Sequence, residues 1–269
     1  MLFVKQAHWR SLTRLDWQKA LLFAFAGNIG YYLALTLAIH YAGIALPALI
    51  VGALPVTMMI YANIKNKEFS FQRLLIPISL ILIGIVALKY FQYSEEIASE
   101  KNLTQMLIGA AWSLSALAIW TWFGVANANY LKTNFRISGY SWSIAIGVCC
   151  LLQVLIIFPV LLFFNKETVM TSLQQPDVFY QLMIGGFILG AIVSWLATVW
   201  WNKISRHLPT TLAAQLLVFE TISSLLYGYI LDRTYPQPMI LVCISIVLLG
   251  IVAGIHITVT SKKSLKKEN

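Results

Sequence analysis

The chain uses nearly the same apolar phrase twice: residues 78–86 read ISLILIGIV and residues 244–252 read ISIVLLGIV. Six of the nine positions are identical, and the other three exchange one aliphatic side chain for another. The two segments are 166 residues apart. Apolar segments draw on few residue types, so the meaning of the match depends on the kind of protein and on whether the same offset aligns other residues.

The composition is that of a membrane protein. Hydrophobic residues make up 59% of the 269 residues and charged residues 11%, whereas soluble domains carry about 25% charged residues. The mean hydropathy is +0.76, and several apolar runs of about 20 residues are long enough to span a bilayer as helices. Continuous runs of this length are too long for the alternating strands of a membrane barrel. We therefore predict an all-α integral membrane protein.

The net charge of +9 is not gathered into a patch. Its Lys and Arg residues are spread over short segments between the apolar runs, which is typical of an orientation signal and not of nucleic-acid binding. The three cysteines lie inside apolar runs, without the spacing of metal ligands or of a disulfide framework. We see no Gly-rich phosphate loop and no catalytic pairing. The expectation is therefore no catalytic residue or enzymatic activity, no metal or cofactor, and no nucleotide or nucleic-acid partner.

The apolar runs predict an eight-span helical bundle. With residues 1–19 placed in the cytoplasm, fifteen Lys and Arg residues fall on the cytoplasmic side of the predicted spans and four on the other side. Each cytoplasmic segment is richer in these residues than its neighbours, as the positive-inside rule requires. We predict a multi-pass protein of the plasma (inner) membrane with both termini in the cytoplasm. The predicted spans are 20–41, 45–64, 74–91, 106–130, 141–163, 181–202, 210–231 and 238–258.

The offset of 166 also aligns residues outside the repeated phrase. It pairs Tyr61 with Tyr227 and sets Asn66-Lys67 against Asp232-Arg233, each at the end of a span, with no gap from residue 45 to residue 86. The two copies are five spans apart, and because five is odd they cross the membrane in opposite directions. Such an inverted repeat is typical of transporters whose substrate site lies near the membrane midplane.

The two predicted halves are unequal. Residues 1–91 hold three spans of an incomplete first repeat, residues 106–258 hold the five spans of the second, and residues 259–269 form a basic cytoplasmic tail. We therefore expect the chain to lack the first two spans of a ten-span protein, with the encoding DNA continuing in frame upstream of Met1.

Two segments resemble the EamA-type members of the drug/metabolite transporter (DMT) superfamily. Residues 27–56 (GNIGYYLALTLAIHYAGIALPALIVGALPV) look like the third and fourth helices of that family, and residues 203–236 look like its eighth-to-ninth helix junction. The resemblance extends over almost the whole chain and implies two inverted repeats that move metabolites, amino acids or drugs, mostly outward. Two positions depart from the family pattern: Glu-Pro of the ninth helix is Glu220-Thr221 here, and Gly-Glu-Arg at the helix end is Leu231-Asp232-Arg233.

Glu220 is the one acidic residue inside any predicted span. It lies ten residues into span 210–231, roughly 15 Å deep, where an ionised carboxylate costs about 2.5–3.5 kcal/mol on insertion scales. We predict that it faces a cavity and couples transport to protons or cations; a structural carboxylate bonded to a neighbouring helix is the alternative. Further candidates for substrate binding are Asn28, Tyr31, Tyr32, Trp120, Trp195 and Tyr227. Their alternatives are helix packing and interhelical hydrogen bonds. Trp142 is assigned to the membrane interface instead.

The predicted function is that of a secondary transporter. It would export a small metabolite or amino acid by alternating access, with a small-molecule substrate and the lipid bilayer as its partners. Two alternatives stay open: a flippase for lipids or lipid-linked sugars, and a truncated membrane subunit that packs against a partner without transporting. The pattern indicates neither the substrate nor whether the chain forms a homo-oligomer.

Overall fold

The computed structural model describes residues 12–97, 102–164, 170, 175–233, 235–236 and 238–265. Within these ranges the regular structure is entirely helical, with two π-helical stretches at Phe25–Gly30 and Phe187–Ser194. The α-helices are α1 (Arg14–Ala24), α2 (Tyr31–Ala42), α3 (Ala45–Gly52), α4 (Leu54–Asn66), α5 (Phe71–Ile97), α6 (Leu103–Thr133), α7 (Gly139–Phe164), α8 (Pro176–Gly186), α9 (Trp195–His207), α10 (Thr210–Leu216), α11 (Val218–Asp232) and α12 (Pro238–Leu265).

Seven helical segments among the described residues are long and apolar enough to cross a membrane. Each overlaps one predicted span, so the prediction of an all-α, multi-span membrane protein is confirmed. The seven segments are Arg14–Ala42, Leu46–Asn66, Phe71–Phe91, Leu103–Thr133, Gly139–Val160, Pro176–His207 and Pro238–Ile257.

The seventh predicted span, 210–231, is not among these segments because its helix is divided. α10 ends at Leu216 and α11 begins at Val218, so Leu217 separates two short helices. The Leu217 amide donates to the Ala214 carbonyl three residues back (3.2 Å), which tightens the last turn of α10. Hydropathy alone could not reveal this break because the residues around Leu217 are as apolar as the helices that they separate.

The chain divides into two compact units. One comprises Met1–Ile29 and Asn127–His207, and the other comprises Gly30–Ala126 and Leu208–Asn269. We call them the first and the second unit.

A buried polar network holds α6, α7 and α9 together in the first unit. The Asn127 amide donates to Asn202 Oδ1 (2.7 Å), and the Asn202 amide donates to Ser143 Oγ (2.8 Å). The Trp142 indole N–H donates to Asn127 Oδ1 (2.7 Å), and Trp142 stacks on Tyr130 with 4.9 Å between ring centroids. Trp142 is completely buried. Its assignment to the membrane interface was therefore wrong, because an indole N–H finds its acceptor here inside the protein.

A second polar cluster of the first unit surrounds Asp16, which is also fully buried. Thr13 and Asp16 form a capping box at the start of α1. Asp16 Oδ1 accepts hydrogen bonds from the Tyr130 hydroxyl and from Arg136 Nη2, the latter at 2.7 Å. This ion pair raises the pKa of the Arg136 guanidinium. The hydrogen bonds and the paired cation satisfy a carboxylate that would otherwise be costly to bury.

Helices α5 and α12, which carry the repeated phrase, pack against each other in the second unit. A Cβ atom on Gly84 would meet the Val247 side chain and lie 3.1 Å from the Cys243 carbonyl oxygen. A Cβ atom on Gly250 would lie 2.8 Å from Ile81 Cγ1. Along α5 the contacts run from Ile81 to Gly84, and along α12 their partners run from Gly250 back to Val247. The two helices are therefore antiparallel. The offset of 166 converts one contact into the other, since it turns 84 into 250 and 81 into 247.

Helices α4 and α11 also end alike. Lys67 and Arg233 follow these helices with φ of 51° and 53°, and they are the two non-glycine residues with positive φ in the described part of the chain. Both are left-handed helix caps, a conformation that side chains other than glycine and asparagine seldom adopt. They too are 166 positions apart.

Glu68, in the turn between α4 and α5, caps the start of α10. The residue before α10 is Pro209, whose side chain cannot accept a hydrogen bond from the first helical N–H groups. The Glu68 carboxylate accepts these bonds instead, from the backbone of Thr210 (2.8 Å) and of Thr211 (2.9 Å), and a further one from the Thr211 hydroxyl (2.5 Å). We call this group of contacts the Glu68 cap.

Candidate functional site

The second unit contains a cavity of about 400 Å³. This volume is within the range of pockets that hold small molecules. The walls come from α2, α3, the start of α4, the far part of α5, the middle of α6 and the junction of α10 with α11. The described lining residues are Tyr31, Tyr32, Leu35, Ile39, Ile44, Pro47, Ala48, Val51, Gly52, Leu54, Pro55, Lys89, Trp120, Leu217 and Glu220.

Two helix junctions meet this cavity. The first lies at Ala53 between α3 and α4, and its neighbours Gly52 and Leu54 line the cavity. The second lies at Leu217, which lines the cavity itself. At both junctions an amide bonds three residues back, Ala53 to Ile50 at 3.1 Å and Leu217 to Ala214 at 3.2 Å. Backbone that departs from regular helix within a membrane is tolerated where it is buried in protein or lines a cavity.

Aromatic rings form one wall of the cavity. Tyr31 lies edge-on to Tyr32, with 5.1 Å between ring centroids, and edge-on to Trp120, with 6.4 Å. Trp120 in turn contacts Phe123 at 6.0 Å. Edge-to-face packing fixes the ring orientations, so this wall presents fixed ring surfaces to an apolar or aromatic group. We call Tyr31, Tyr32 and Trp120 the ring wall.

Two of the described lining residues are charged, Lys89 and Glu220. Glu220 is the third residue of α11, where the positive end of the helix dipole favours a carboxylate. Lys89 is half-buried on α5, and its stem lies against Gly52, on which a Cβ atom would be 3.7 Å from Lys89 Cε. The cavity therefore offers a cation that can donate hydrogen bonds and a carboxylate that can accept them.

Four of the seven predicted site residues line the cavity together: Tyr31, Tyr32, Trp120 and Glu220. The other three do not belong to the described lining. In the first unit, the Asn28 amide donates to the Ala24 carbonyl within the π-helical stretch (3.3 Å), and Trp195 lies edge-on to Tyr140 at 5.8 Å. In the second unit, Tyr227 lies two helical turns beyond Glu220 and is 63% exposed. For Asn28 and Trp195, local helix bonding and ring packing account for the observed contacts.

Sequence reasoning missed Lys89. Its charge was counted on the outer side of the membrane because the predicted span ended at residue 91. In the structure α5 continues to Ile97, so Lys89 has two further helical turns beyond it. The available signal was the position of Lys89 inside the predicted span 74–91, where a lysine is costly unless the protein or a cavity surrounds it.

The fold and this cavity define the chain as a multi-span helical membrane protein with a small-molecule-sized pocket. No family model matches the sequence. The chain is similar to the inner membrane protein YtfF of Escherichia coli (strain K12), with 28% identity over 255 residues that cover 92% of this chain and 78% of the relative.

Proposed function

We propose that this protein is a secondary transporter of small molecules and that the cavity of the second unit is its substrate site. The observation that carries the proposal is that the junctions of two broken helices, at Ala53 and at Leu217, contribute to one cavity. Discontinuous helices around a shared site are the arrangement by which many secondary transporters bind substrates inside the membrane. The ring wall and the two charges give this site the chemistry to hold a small polar molecule with an apolar part.

An inverted repeat is part of the proposal. The left-handed caps at Lys67 and Arg233 and the paired contacts of Gly84 and Gly250 are related by the offset of 166 that relates the repeated phrases. The antiparallel packing of α5 and α12 supports opposite insertion of the two copies. We therefore propose that residues 1–91 and 106–258 derive from one ancestral unit, the first copy having fewer spans.

Alternating access requires that the site be closed at one end while it is reached from the other. The cavity includes Lys89, which is 18 residues along α5 from Phe71, or roughly 27 Å at 1.5 Å per residue. The Glu68 cap lies at the other end of α5, in the turn just before Phe71. The cavity and the Glu68 cap therefore lie near opposite ends of α5. This separation supports a mechanism in which the protein opens alternately at the cavity end and at the Glu68 end.

The resemblance of residues 27–56 and 203–236 to EamA-type transporters, together with the similarity to an inner membrane protein, supports placement in the drug/metabolite transporter superfamily and in a bacterial inner membrane. The excess of Lys and Arg in alternate connecting segments supports cytoplasmic termini. Export of a small metabolite or amino acid, coupled to protons or cations at Glu220, is the activity that we propose.

Flux measurements with the purified full chain in proteoliposomes test this function. We expect at least one compound from a panel of radiolabelled amino acids and aromatic metabolites to cross faster than in protein-free vesicles. Glu220→Gln should lower that flux at least about tenfold and flatten its pH dependence, because a neutral amide can carry neither the proton nor the charge.

Asp177→Asn is the matched control. Asp177 is also an acidic residue in the first turn of a helix, α8, but it is exposed and is not part of the described cavity lining. Its variant should keep the flux of the unmodified chain. Equal flux and equal pH dependence in Glu220→Gln would contradict the coupling role, and movement of lipid but of no panel compound would favour a flippase.

A further inference from the structure

Lys89 is the charged residue of the cavity to which the proposed function assigns no specific role. It belongs to the membrane-crossing segment Phe71–Phe91 and lines the cavity with the ring wall. Ionisable residues within membrane segments are costly and rare, and they mark substrate pathways more often than packing positions. A lysine near the end of a span can also extend to the interface, but Lys89 is half-buried and belongs to the cavity lining.

The packing around Gly52 keeps the lysine stem at the corner between α3 and α4. A Cβ atom on Gly52 would lie 3.2 Å from Ile85 Cγ2 and 3.7 Å from Lys89 Cε. The first distance is tight and the second is an ordinary van der Waals contact, so Gly52 allows α3 to approach Ile85 closely and the lysine stem lies alongside. This places the ammonium group beside a cavity wall made of Val51, Gly52 and Leu54.

The chemistry of the neighbouring walls limits what the ammonium group can recognise. An ammonium carries three hydrogen-bond donors and no acceptor, so it selects an anionic or strongly accepting group. The ring wall, in which Tyr31 and Trp120 are 6.4 Å apart, favours an aromatic or flat apolar group. Glu220 lines the same cavity and would repel a second anion near the α10–α11 junction.

We propose that Lys89 binds the anionic group of the transported molecule while the ring wall holds an aromatic or flat apolar body. The inference rests on the proposed transport function and gives its substrate a chemical class: small organic anions with an apolar ring. Lys89 is then the specificity-determining residue of the site.

Equilibrium binding to the purified full chain in lipid nanodiscs tests the assignment with three probes of similar size. Indole-3-propionate carries the anion, indole-3-propionamide is its neutral counterpart, and tryptamine carries a cation. We expect the acid to bind at least about tenfold more tightly than the amide, as one charge-assisted hydrogen bond in a half-buried site implies. Tryptamine should have the lowest affinity of the three, because Lys89 repels its ammonium group.

Lys89→Met keeps the stem and removes the charge. It should weaken acid binding far more than amide binding and so reduce the preference for acid over amide to about one, and Lys89→Arg should restore part of the preference. Lys65→Met is the matched control, because Lys65 is an exposed lysine at the end of α4 that is not part of the described lining. Measurable amide binding by the Lys89 variant also establishes that it is folded.

The assignment is overturned if the unmodified chain binds acid and amide equally, if it binds none of the three probes, or if Lys89→Met keeps the preference. Failure of the transport function is a separate result. If acid binding depends on Lys89 but no compound crosses in proteoliposomes, the anion site is supported and the proposed transport function is contradicted.

Discussion

Asn202 of the first unit is a single residue whose two amide contacts connect three helices. It is fully buried, accepts a hydrogen bond from Asn127 and donates one to Ser143. Asn202→Ala should lower the free energy of unfolding by about 1–3 kcal/mol, because the Asn127 amide then stays buried without an acceptor. Thermal unfolding in detergent measures the change.

Thr133→Ala provides the comparison for that loss. The Thr133 hydroxyl is exposed and bonds to carbonyls of its own helix, at Asn129 and Tyr130. Its removal should shift the melting temperature far less. Equal shifts in the two variants would mean that the buried network around Asn202 adds no stability beyond a local hydrogen bond.

At the scale of elements, the Glu68 cap makes the stability of the second unit depend on pH. Burial raises the pKa of the Glu68 carboxyl, but the hydrogen bonds from Thr211, Thr210 and Asn66 outweigh this effect and hold the pKa below its usual 4.5. A lowered folded pKa means that the cap stabilises the fold above pH 4.5 and loses this contribution as the pH falls through the folded value.

We therefore expect the melting temperature of the unmodified chain to fall more steeply below about pH 4.5 than that of Glu68→Gln. Above that pH the variant should be the less stable of the two, because an amide accepts the Thr210 and Thr211 bonds more weakly than a carboxylate. Parallel pH profiles would show that another carboxylate governs the acid transition.

The close approach of α5 and α12 makes a second prediction for the elements. Gly84→Ala and Gly250→Ala should each destabilise the chain by about 1–3 kcal/mol, since the added methyl groups enter an occupied contact. The two losses should be similar because the two contacts are equivalent: Gly84 meets Val247, Gly250 meets Ile81, and Ile81 and Val247 occupy corresponding positions in the two repeats. Gly147→Ala on α7, where nothing lies within 4 Å of the added Cβ, should be neutral or stabilising. A large difference between Gly84 and Gly250 would contradict equivalent surroundings.

The topology that we propose for the whole molecule rests on the charge distribution and on the odd number of predicted spans between the repeated phrases. Lys67 and Arg233 end equivalent helices and are both exposed, so an inverted repeat predicts them on opposite sides of the membrane. With the native cysteines replaced, Arg233→Cys should react with an impermeant thiol reagent on intact cells, and Lys67→Cys only after permeabilisation. Labelling of both from the same side would contradict the inversion.

Hydropathy predicts the course of this chain well because lipid requires each backbone amide to find its partner within its own helix. That requirement accounts for the seven long apolar segments, but it does not reveal the break at Ala53 inside one of them or any side-chain contact. The break at Leu217 depends on local hydrogen bonds, the burial of Trp142 depends on its distant acceptor Asn127, and the place of Lys89 depends on the packing of its stem beside Gly52. Tyr31 and Tyr32 of the ring wall could be predicted from their position at mid-span, because interfacial anchoring does not explain a tyrosine there.

The paired glycine contacts of α5 and α12 have a consequence for how this protein could have arisen. A contact that maps onto itself when its two partners exchange places is the contact of a two-fold dimer. Gly84 against Val247 and Gly250 against Ile81 form such a pair within one polypeptide. A single helix with this surface could have associated with an inverted copy of itself before any gene duplication. Under the proposed inverted repeat, fusion of the two copies frees each half to change on its own, and the position of Glu220 in the second half corresponds to Leu54 in the first, 166 residues earlier.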